Sequence, residues 1–594
     1  MLNPKQTGVF LLLILLHANV ICQAGEKPVV ELRVLIDVSG SMKKNDPQNL
    51  RIPALRLLTG LLPEKSRSAA WLFAKKTTPL IGNAVVNKHW KQMANAVSGK
   101  IHARGQFTDI ERALHTANNH WATPAEKYRR HILLLSDGVV DVPGGDAKSD
   151  ASRQRILEKL LPALQKNAVK VHTIALSNDA DHPLLQAISG GTDGWYEKVE
   201  DADQLNRAFL HLFEQSAKQP SLPLKENRFK VDDSIKDMTI LVFHAEDSEQ
   251  INVITPNGQA YQWHAHPNKV EWHREQGFDL ITVNDPVPGD WQLDAKQDPD
   301  NRVLVVTNLD LQVSELPNYL IPGTPRSVHA QLLQKGKPVT LQALIERTRF
   351  ILKQTVDNET VEGIMFDHGK PPDQTASDGI YSQNITEPVE STSTELIVSA
   401  AGPTFERQYR HQMKVLSHLL AAQITQLDAE HEHKFRITLR PSEQAAGISF
   451  DSVKFRAPPD VEKWLAVPAS KPRNWVVELH ASWAEKFIEF NIEGHFSGQP
   501  PFVVKQSQIL PKDKSIAPVK QAKPAHEHEP VKAEKEDDVQ EVEEKAAMDW
   551  KVVIAFVLII NGIAGLIGLV GFLVWQKRRQ RPVPPVETEQ AQKA

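Results

Sequence analysis

Over the first third of the chain, apolar runs alternate with segments of helical spacing. Val29 to Ile36, Ala69 to Ala74, His131 to Leu135 and Val169 to Leu176 are short, nearly unbroken apolar stretches, the texture of strands buried on both faces. Between them Leu50, Ala54, Leu57, Leu58 and Leu61, and later Ile110, Ala113, Leu114, Ala117 and Trp121, recur at helical intervals. Strands and helices in alternation predict a doubly wound α/β domain over residues 28–216, its parallel sheet covered on both sides. After a Pro-containing link at 218–224 the texture becomes β-like. Short runs such as Thr239 to Phe243 and Leu280 to Val283 are split by turn residues such as Thr255-Pro256-Asn257-Gly258. This predicts three β-sandwich modules, at 225–310, 311–416 (Ig-like) and 417–509.

Patterning at the two ends sets the compartment. Lys5, the apolar run Val9 to Leu16 and Cys22-Gln23-Ala24 read as a secretory signal over residues 1–24, cleaved after Ala24. Cys22 is the one cysteine of the chain. The cleaved protein then has no thiol and no disulfide, which favours a bacterial periplasm over a eukaryotic exterior, the sequons at Asn358 and Asn384 notwithstanding. Residues 510–548 are rich in Lys, Glu, Ala and Pro and poor in large apolar residues, a charged flexible tether. The uncharged segment 552–575, about 36 Å as a helix, is long enough for a single transmembrane span. Trp550 and Trp575 sit at its edges, and Lys577, Arg578, Arg579 and Arg581 put the tail 576–594 in the cytoplasm. The expected location is therefore a bacterial inner membrane with the bulk of the chain in the periplasm. A net charge of −4 offers no electrostatic footprint for nucleic acid.

Candidate chemistry gathers where the predicted strands end. Asp37-Val38-Ser39-Gly40-Ser41 leaves the first strand in a turn where residues 37, 39 and 41 can aim oxygens at one point, with Gly40 permitting the backbone path. Thr108 precedes the amphipathic helix that begins near Asp109, and Asp137 ends the strand that runs through Leu135. All lie at the C-terminal edge of the sheet, where open α/β folds bind ligands. Carboxylates and hydroxyls make a hard oxygen site suited to Mg²⁺, with Mn²⁺ or Ca²⁺ as alternatives. Each piece also has a plainer reading: Thr108-Asp109-Ile110-Glu111 fits a capping box with Thr108 as the cap, and Asp137-Gly138 is ordinary turn chemistry.

Asp37-Val38-Ser39-Gly40-Ser41, Thr108 and Ser136-Asp137-Gly138, in that order, resemble the three parts of the metal-ion-dependent adhesion site of von Willebrand factor A domains. Chain-wide, the sequence is similar to membrane-anchored A-domain proteins of Gram-negative bacteria. The resemblance implies metal ligation by Ser39, Ser41 and Thr108, with Asp37 and Asp137 acting through water. It also implies a partner protein that supplies an Asp or Glu carboxylate. The segment from Val231 to Trp291 resembles the β domain that follows the A domain in calcium-activated chloride channel regulators. Asp367, Asp373 and Asp378 fall in a motif that resembles a recurring Ig-like one; they offer a Ca²⁺ set, and acidic turn chemistry accounts for them as well.

The pairs His264/His266, expected on one strand face, His431/His433 and His526/His528 have H-x-H spacing but read as solvated polar residues rather than zinc ligands. A metal with few direct carboxylates keeps positive charge and attracts an anion, which favours binding over catalysis, and no hydrolase motif stands out. The expectation is a non-enzymatic binding protein. Its rivals are a hydrolase using the same ion and a structural tether whose β modules do the binding.

Overall fold

The computed structural model describes residues 28–512 apart from 245–249, 387–392, 428–433, 443–444, 446, 458–459, 472 and 497–500. The signal, the tether beyond residue 512, the membrane span, the tail and the histidine pairs at 431/433 and 526/528 lie outside the described residues. Among the described residues no helix is long and apolar enough to cross a membrane.

Residues 29–217 form a six-stranded sheet flanked by helices. Its elements are β1 (Val29–Asp37), α1 (Met42–Asn45), α2 (Arg51–Leu61), β2 (Arg67–Phe73), β3 (Thr77–Val85), α3 (Lys88–Ser98), α4 (Ile110–Ala117), β4 (Tyr128–Ser136), α5 (Asp146–Arg155), α6 (Leu161–Lys166), β5 (Val169–Ala175), α7 (His182–Gly191), β6 (Tyr196–Lys198) and α8 (Ala202–Ala217). The strand order is β3-β2-β1-β4-β5-β6. β1 alternates between two cores: Leu32, Val34 and Ile36 pack under α2, α3 and α8, while Leu35 faces α4 and α7. An all-parallel sheet was expected, but β3 runs antiparallel to β2, joined to it by a tight turn at 74–76 that leaves no room for a crossover helix. The strand is also half-exposed, so the search for continuous apolar runs passes over it.

The helix expected to reach Trp121 ends at Ala117. Buried Arg33 donates to the carbonyls of Ala117 (2.6 Å) and His120 (2.8 Å) and to Glu31 (2.7 Å), and Trp121 lies over its guanidinium at 3.6 Å. Trp121 packs against the same core as α4, but from the loop beyond the helix and over the Arg33 cation.

His131 on β4 and His172 on β5 are buried side by side, Nδ1 to Nε2 at 2.9 Å, with stacked rings. Burial pushes the His172 imidazole down to about 3 and His131 well below its ordinary value, each disfavoured further by the positive charge of Lys170. A folded-state value below the unfolded one means that this contribution to stability is full above pH 6.5 and is lost as pH falls from there toward 3. At pH 5 the loss at His172 is about 2 kcal/mol. Urea unfolding at pH 7.5 and pH 5 is expected to show a His131→Leu, His172→Leu double variant losing at least about 2 kcal/mol less than the natural chain between the two conditions. Equal losses would contradict this assignment.

Three β-sandwich cores follow. The first gathers Leu222 to Val305, the second Leu309 to Met413, and the third residues from Leu416 to Leu510 together with Tyr319 and Ile321. Leu510, assigned from sequence to the tether, is 1% exposed and belongs to this last core. The link at 218–224 is itself structural: Ser221–Leu222 pairs with Arg302–Thr307 on one side and Glu406–Val415 on the other, fusing the first two modules into one ten-stranded sheet. Turn residues mark strand ends but say nothing of a two-residue strand held by long-range partners.

The α/β domain is bound to these modules at several points. Arg302 pairs with Glu214 (2.7 Å) at the end of α8, Arg56 on α2 with Glu275 (2.9 Å), and the Asn318 side chain donates to the Asp193 carbonyl (2.6 Å). Gly447 of the last module lies so close to α7 that an added Cβ would fall 2.0 Å from the Gly190 carbonyl carbon. Only glycine permits that approach.

Candidate metal centre

β1 delivers Asp37 to the C-terminal edge of the sheet, where the chain turns into α1. The Asp37 carboxylate accepts from the Ser39 amide (2.8 Å) and from the Ser136 hydroxyl (2.7 Å). Asp137, one residue beyond β4, accepts from Ser39 Oγ (3.3 Å), Ser41 Oγ (2.9 Å) and Asn45 Nδ2 (2.9 Å), and the two serine hydroxyls are 2.9 Å apart. Thr108 is held by a backbone bridge to Asp141 (2.8 and 3.1 Å). Its hydroxyl and that of Ser41 flank Gly138, at 3.8 and 3.9 Å from where a Cβ there would stand. All five residues singled out from sequence therefore meet at one place.

The capping-box reading of Thr108 does not hold. Asp109 is the cap of α4, its carboxylate accepting from the Arg112 amide (2.9 Å), so Thr108 lies outside the helix. Gly40 is not in the left-handed region, and a Cβ there would sit 3.6 Å from the nearest atom, so the turn does not demand glycine. Gly105 is the glycine that matters. Its amide donates to the Val38 carbonyl (2.7 Å) beside the Ser39 bridge, and an added Cβ would fall 2.4 Å from Ala74 Cβ and 2.8 Å from the Val38 oxygen. Gly105→Ala is expected to force this loop away from Ser39 and weaken Mg²⁺ binding at least tenfold by calorimetry; unchanged affinity would show that the loop does not shape the site.

Sequence reasoning missed the supporting residues. Asn45 lies one helical turn after Ser41, and Ser136 is the neighbour of Asp137; both spacings were available to find them. Buried Arg51 donates to the Asp37 carbonyl (2.5 Å), to Asp46 (2.6 Å) and to Asn49 (2.8 Å), pinning the far side of the turn. That pairing joins residues across α1 and α2, and no local pattern signals it.

Electrostatically the centre is incomplete. Asp37 and Asp137 are 0% and 1% exposed, and among the described residues no lysine or arginine pairs with either. Burial, with the Asp137 charge next in weight, pushes the Asp37 carboxyl up to about 6 against the hydrogen bonds from Ser39 and Ser136. Two buried carboxylates without a cation are costly. A divalent ion would remove that cost, and the oxygens are spaced for it: ligands of Mg²⁺ at about 2.1 Å in an octahedron lie ~3.0 Å apart along an edge. The two hydroxyls assigned as direct ligands, Ser39 and Ser41, are 2.9 Å apart, and Asp137 accepts from both.

Two other sequence signals end differently. Asp367, Asp373 and Asp378 bring carboxylate oxygens within 4.8 Å of one another, with Asp373 accepting from the amides of His368 and Gly369 and Asp367 from those of Asp378 and Gly379. His264 and His266 lie in a turn rather than on a strand face, where His264 packs beside Trp263 and His266 stacks on Trp272.

Residues 31–211 match the family model of the von Willebrand factor type A domain, and residues 210–308 that of the hemicentin galactose-binding domain-like family. No curated protein matches the chain. Among solved structures it is similar to a von Willebrand factor type A protein from Catenulispora acidiphila (15% identity, TM-score 0.27, covering 47% of this chain and 64% of that one). It is also similar to the manganese-loaded TRAP protein of Plasmodium vivax (22% identity, TM-score 0.25, covering 30% and 71%). A third is the pilus adhesin SpaC of Lactobacillus rhamnosus GG (10% identity, TM-score 0.27, covering 83% and 88%). The chain thus spans less than two thirds of the first of these structures. The family model identifies residues 31–211 as a von Willebrand factor type A domain.

Proposed function

We propose that the chain binds a partner protein through a divalent ion, Mg²⁺ in the first instance, held by Ser39, Ser41 and Thr108 with Asp37 and Asp137 behind them. The observation that carries this reading is the convergence of three loops on two buried carboxylates that no lysine or arginine pairs with among the described residues, with the Ser39 and Ser41 hydroxyls 2.9 Å apart, an octahedral edge. Ser41 is exposed, so the centre opens to the outside and a carboxylate from a partner can reach it. The bound ion would supply a positive charge there. The chain's own part is to fix the hydroxyls through Asp137 and Asn45, and to hold Asp37 through Ser136.

In this reading the protein is anchored by 552–575, with the A domain and β modules in the periplasm above the charged tether. The role is binding rather than hydrolysis, since the residues at the centre are fixed by one another and serve as ligands.

The test is crosslinked capture from detergent extract of cells that express the full chain, with Mg²⁺ and with EDTA, alongside a Ser39→Ala, Ser41→Ala variant. A partner recovered with Mg²⁺ and lost under both other conditions supports the proposal. Recovery indifferent to EDTA and to the variant overturns it and assigns binding to the β modules. Substrate turnover that Asp37→Ala abolishes would move the protein to the hydrolases.

A further inference from the structure

The rim of the metal centre is electrically one-sided. Three segments border the Ser39 loop on the β2 side: 41–44, which opens α1; 74–76, the turn between β2 and β3; and 102–107, which leads into α4. They are stitched together by backbone contacts. Gly105 bridges to Ser39, the Lys75 amide donates to the Gln106 carbonyl (2.7 Å), and the Asp109 amide to the Ala74 carbonyl (3.2 Å). Lys75 Nζ also lies 5.7 Å from the Phe107 ring centroid.

Together these segments carry Lys43, Lys44, Lys75, Lys76 and Arg104, all exposed, and no acidic residue. Lys44 has a loose contact with Asp179 at 3.9 Å, both side chains being about four-fifths exposed. Among the described residues no ion pair engages Lys43, Lys75, Lys76 or Arg104. Of the exposed carboxylates that follow β4 and β5, Asp179 meets this rim through Lys44, and Asp141 is bound to Thr108 through its backbone. The chain as a whole has a net charge of −4, so this crescent is not a sample of a basic protein. The four of these charges that no ion pair engages repel one another until an anion covers them, and an anion bound at the metal would have them as neighbours.

We infer that the partner is an acidic polypeptide segment: one Asp or Glu reaches the metal, and further carboxylates beside it in sequence lie over the crescent of Lys43, Lys75, Lys76 and Arg104. The inference rests on the metal-dependent binding proposed above. It adds that charges outside the coordination sphere select the ligand, which makes recognition salt-sensitive and faster in association.

The experiment uses the full chain in detergent with 1 mM Mg²⁺ and two fluorescein-labelled peptides read by anisotropy. One carries a central aspartate flanked by four glutamates, and the other has glutamines in their place. The glutamate peptide is expected to bind about tenfold or more tightly at low salt, with the difference shrinking as the Debye length falls to about 3 Å near 1 M salt. A Lys43→Gln, Arg104→Gln variant is expected to cut the preference to below threefold.

Equal affinity for the two peptides, no binding of the glutamate peptide, or full preference retained by the variant overturns the inference. EDTA separates the two proposals. Both peptides released by EDTA but bound equally with Mg²⁺ sinks the crescent alone. A glutamate preference that persists in EDTA and disappears in the variant sinks the metal reading alone.

Discussion

Asp137→Asn is expected to abolish the stabilisation of the α/β domain by Mg²⁺ while leaving the metal-free protein at least as stable as before. Asp137 is the hub of the centre: its carboxylate takes the hydroxyls of Ser39 and Ser41 and the amide of Asn45. Asparagine keeps the shape and one acceptor oxygen but removes a full negative charge from beside fully buried Asp37. Without metal, that relieves a like-charge contact that now pushes the Asp37 carboxyl up to about 6, after burial itself. With metal, the same change removes a charge the ion needs. At one hundred times its dissociation constant, Mg²⁺ should add about 2.7 kcal/mol to the unfolding free energy of the natural chain and nothing measurable to the variant at that concentration. Thermal unfolding with and without Mg²⁺ reads both effects at once. A variant that keeps the natural chain's Mg²⁺ shift would remove Asp137 from the centre, and one that loses metal-free stability would show that its hydrogen bonds outweigh its charge.

How far the sequence carried this picture depended on the range of the interactions. The strands β1, β2, β4 and β5 are legible because burial on both faces demands apolar runs, and their observed ends fall within three residues of those expected. The five residues of the candidate centre are legible because each sits at a strand end or just before a helix, where a few neighbouring positions fix the geometry. Asp109 shows the limit of such local reasoning. Thr108 and Asp109 are both good caps, and which of them serves is decided by the Thr108 bridge to Asp141, 33 positions away. The two-residue strand at Ser221–Leu222 is likewise set by partners remote in sequence, at Val303 and Gln408. A single chain's pattern does not encode those pairings in any window that can be read.

The same remoteness makes Arg407→Leu the most damaging substitution expected in the β modules. Arg407 is 0% exposed and donates to both Asp232 oxygens (2.7 and 3.2 Å), the Ser234 and Thr307 hydroxyls (2.7 and 2.9 Å) and the Leu309 and Glu406 carbonyls (2.9 and 2.7 Å). It thereby joins the first two modules where their sheets fuse. Burial alone would raise the Asp232 carboxyl, but Arg407 and Ser234 outweigh it and hold the group below its ordinary range. Leucine would leave that carboxylate buried and unpaired, at a cost of about 3–5 kcal/mol near neutral pH. The pH dependence identifies the cause. In the natural chain the depressed carboxyl contributes stability above pH 3.8 that is lost as pH falls further. In the variant the carboxyl is raised, so its penalty is present at pH 7 and is relieved as the group protonates. The stability difference between the two proteins, from urea unfolding, should therefore narrow from pH 7 toward pH 4. Combining Arg407→Leu with Asp232→Leu should recover most of the loss, because two apolar side chains replace a broken ion pair. A pH-independent difference, or a double variant no better than the single one, would mean that Arg407 acts through its packing and its carbonyl contacts rather than through the charge it neutralises.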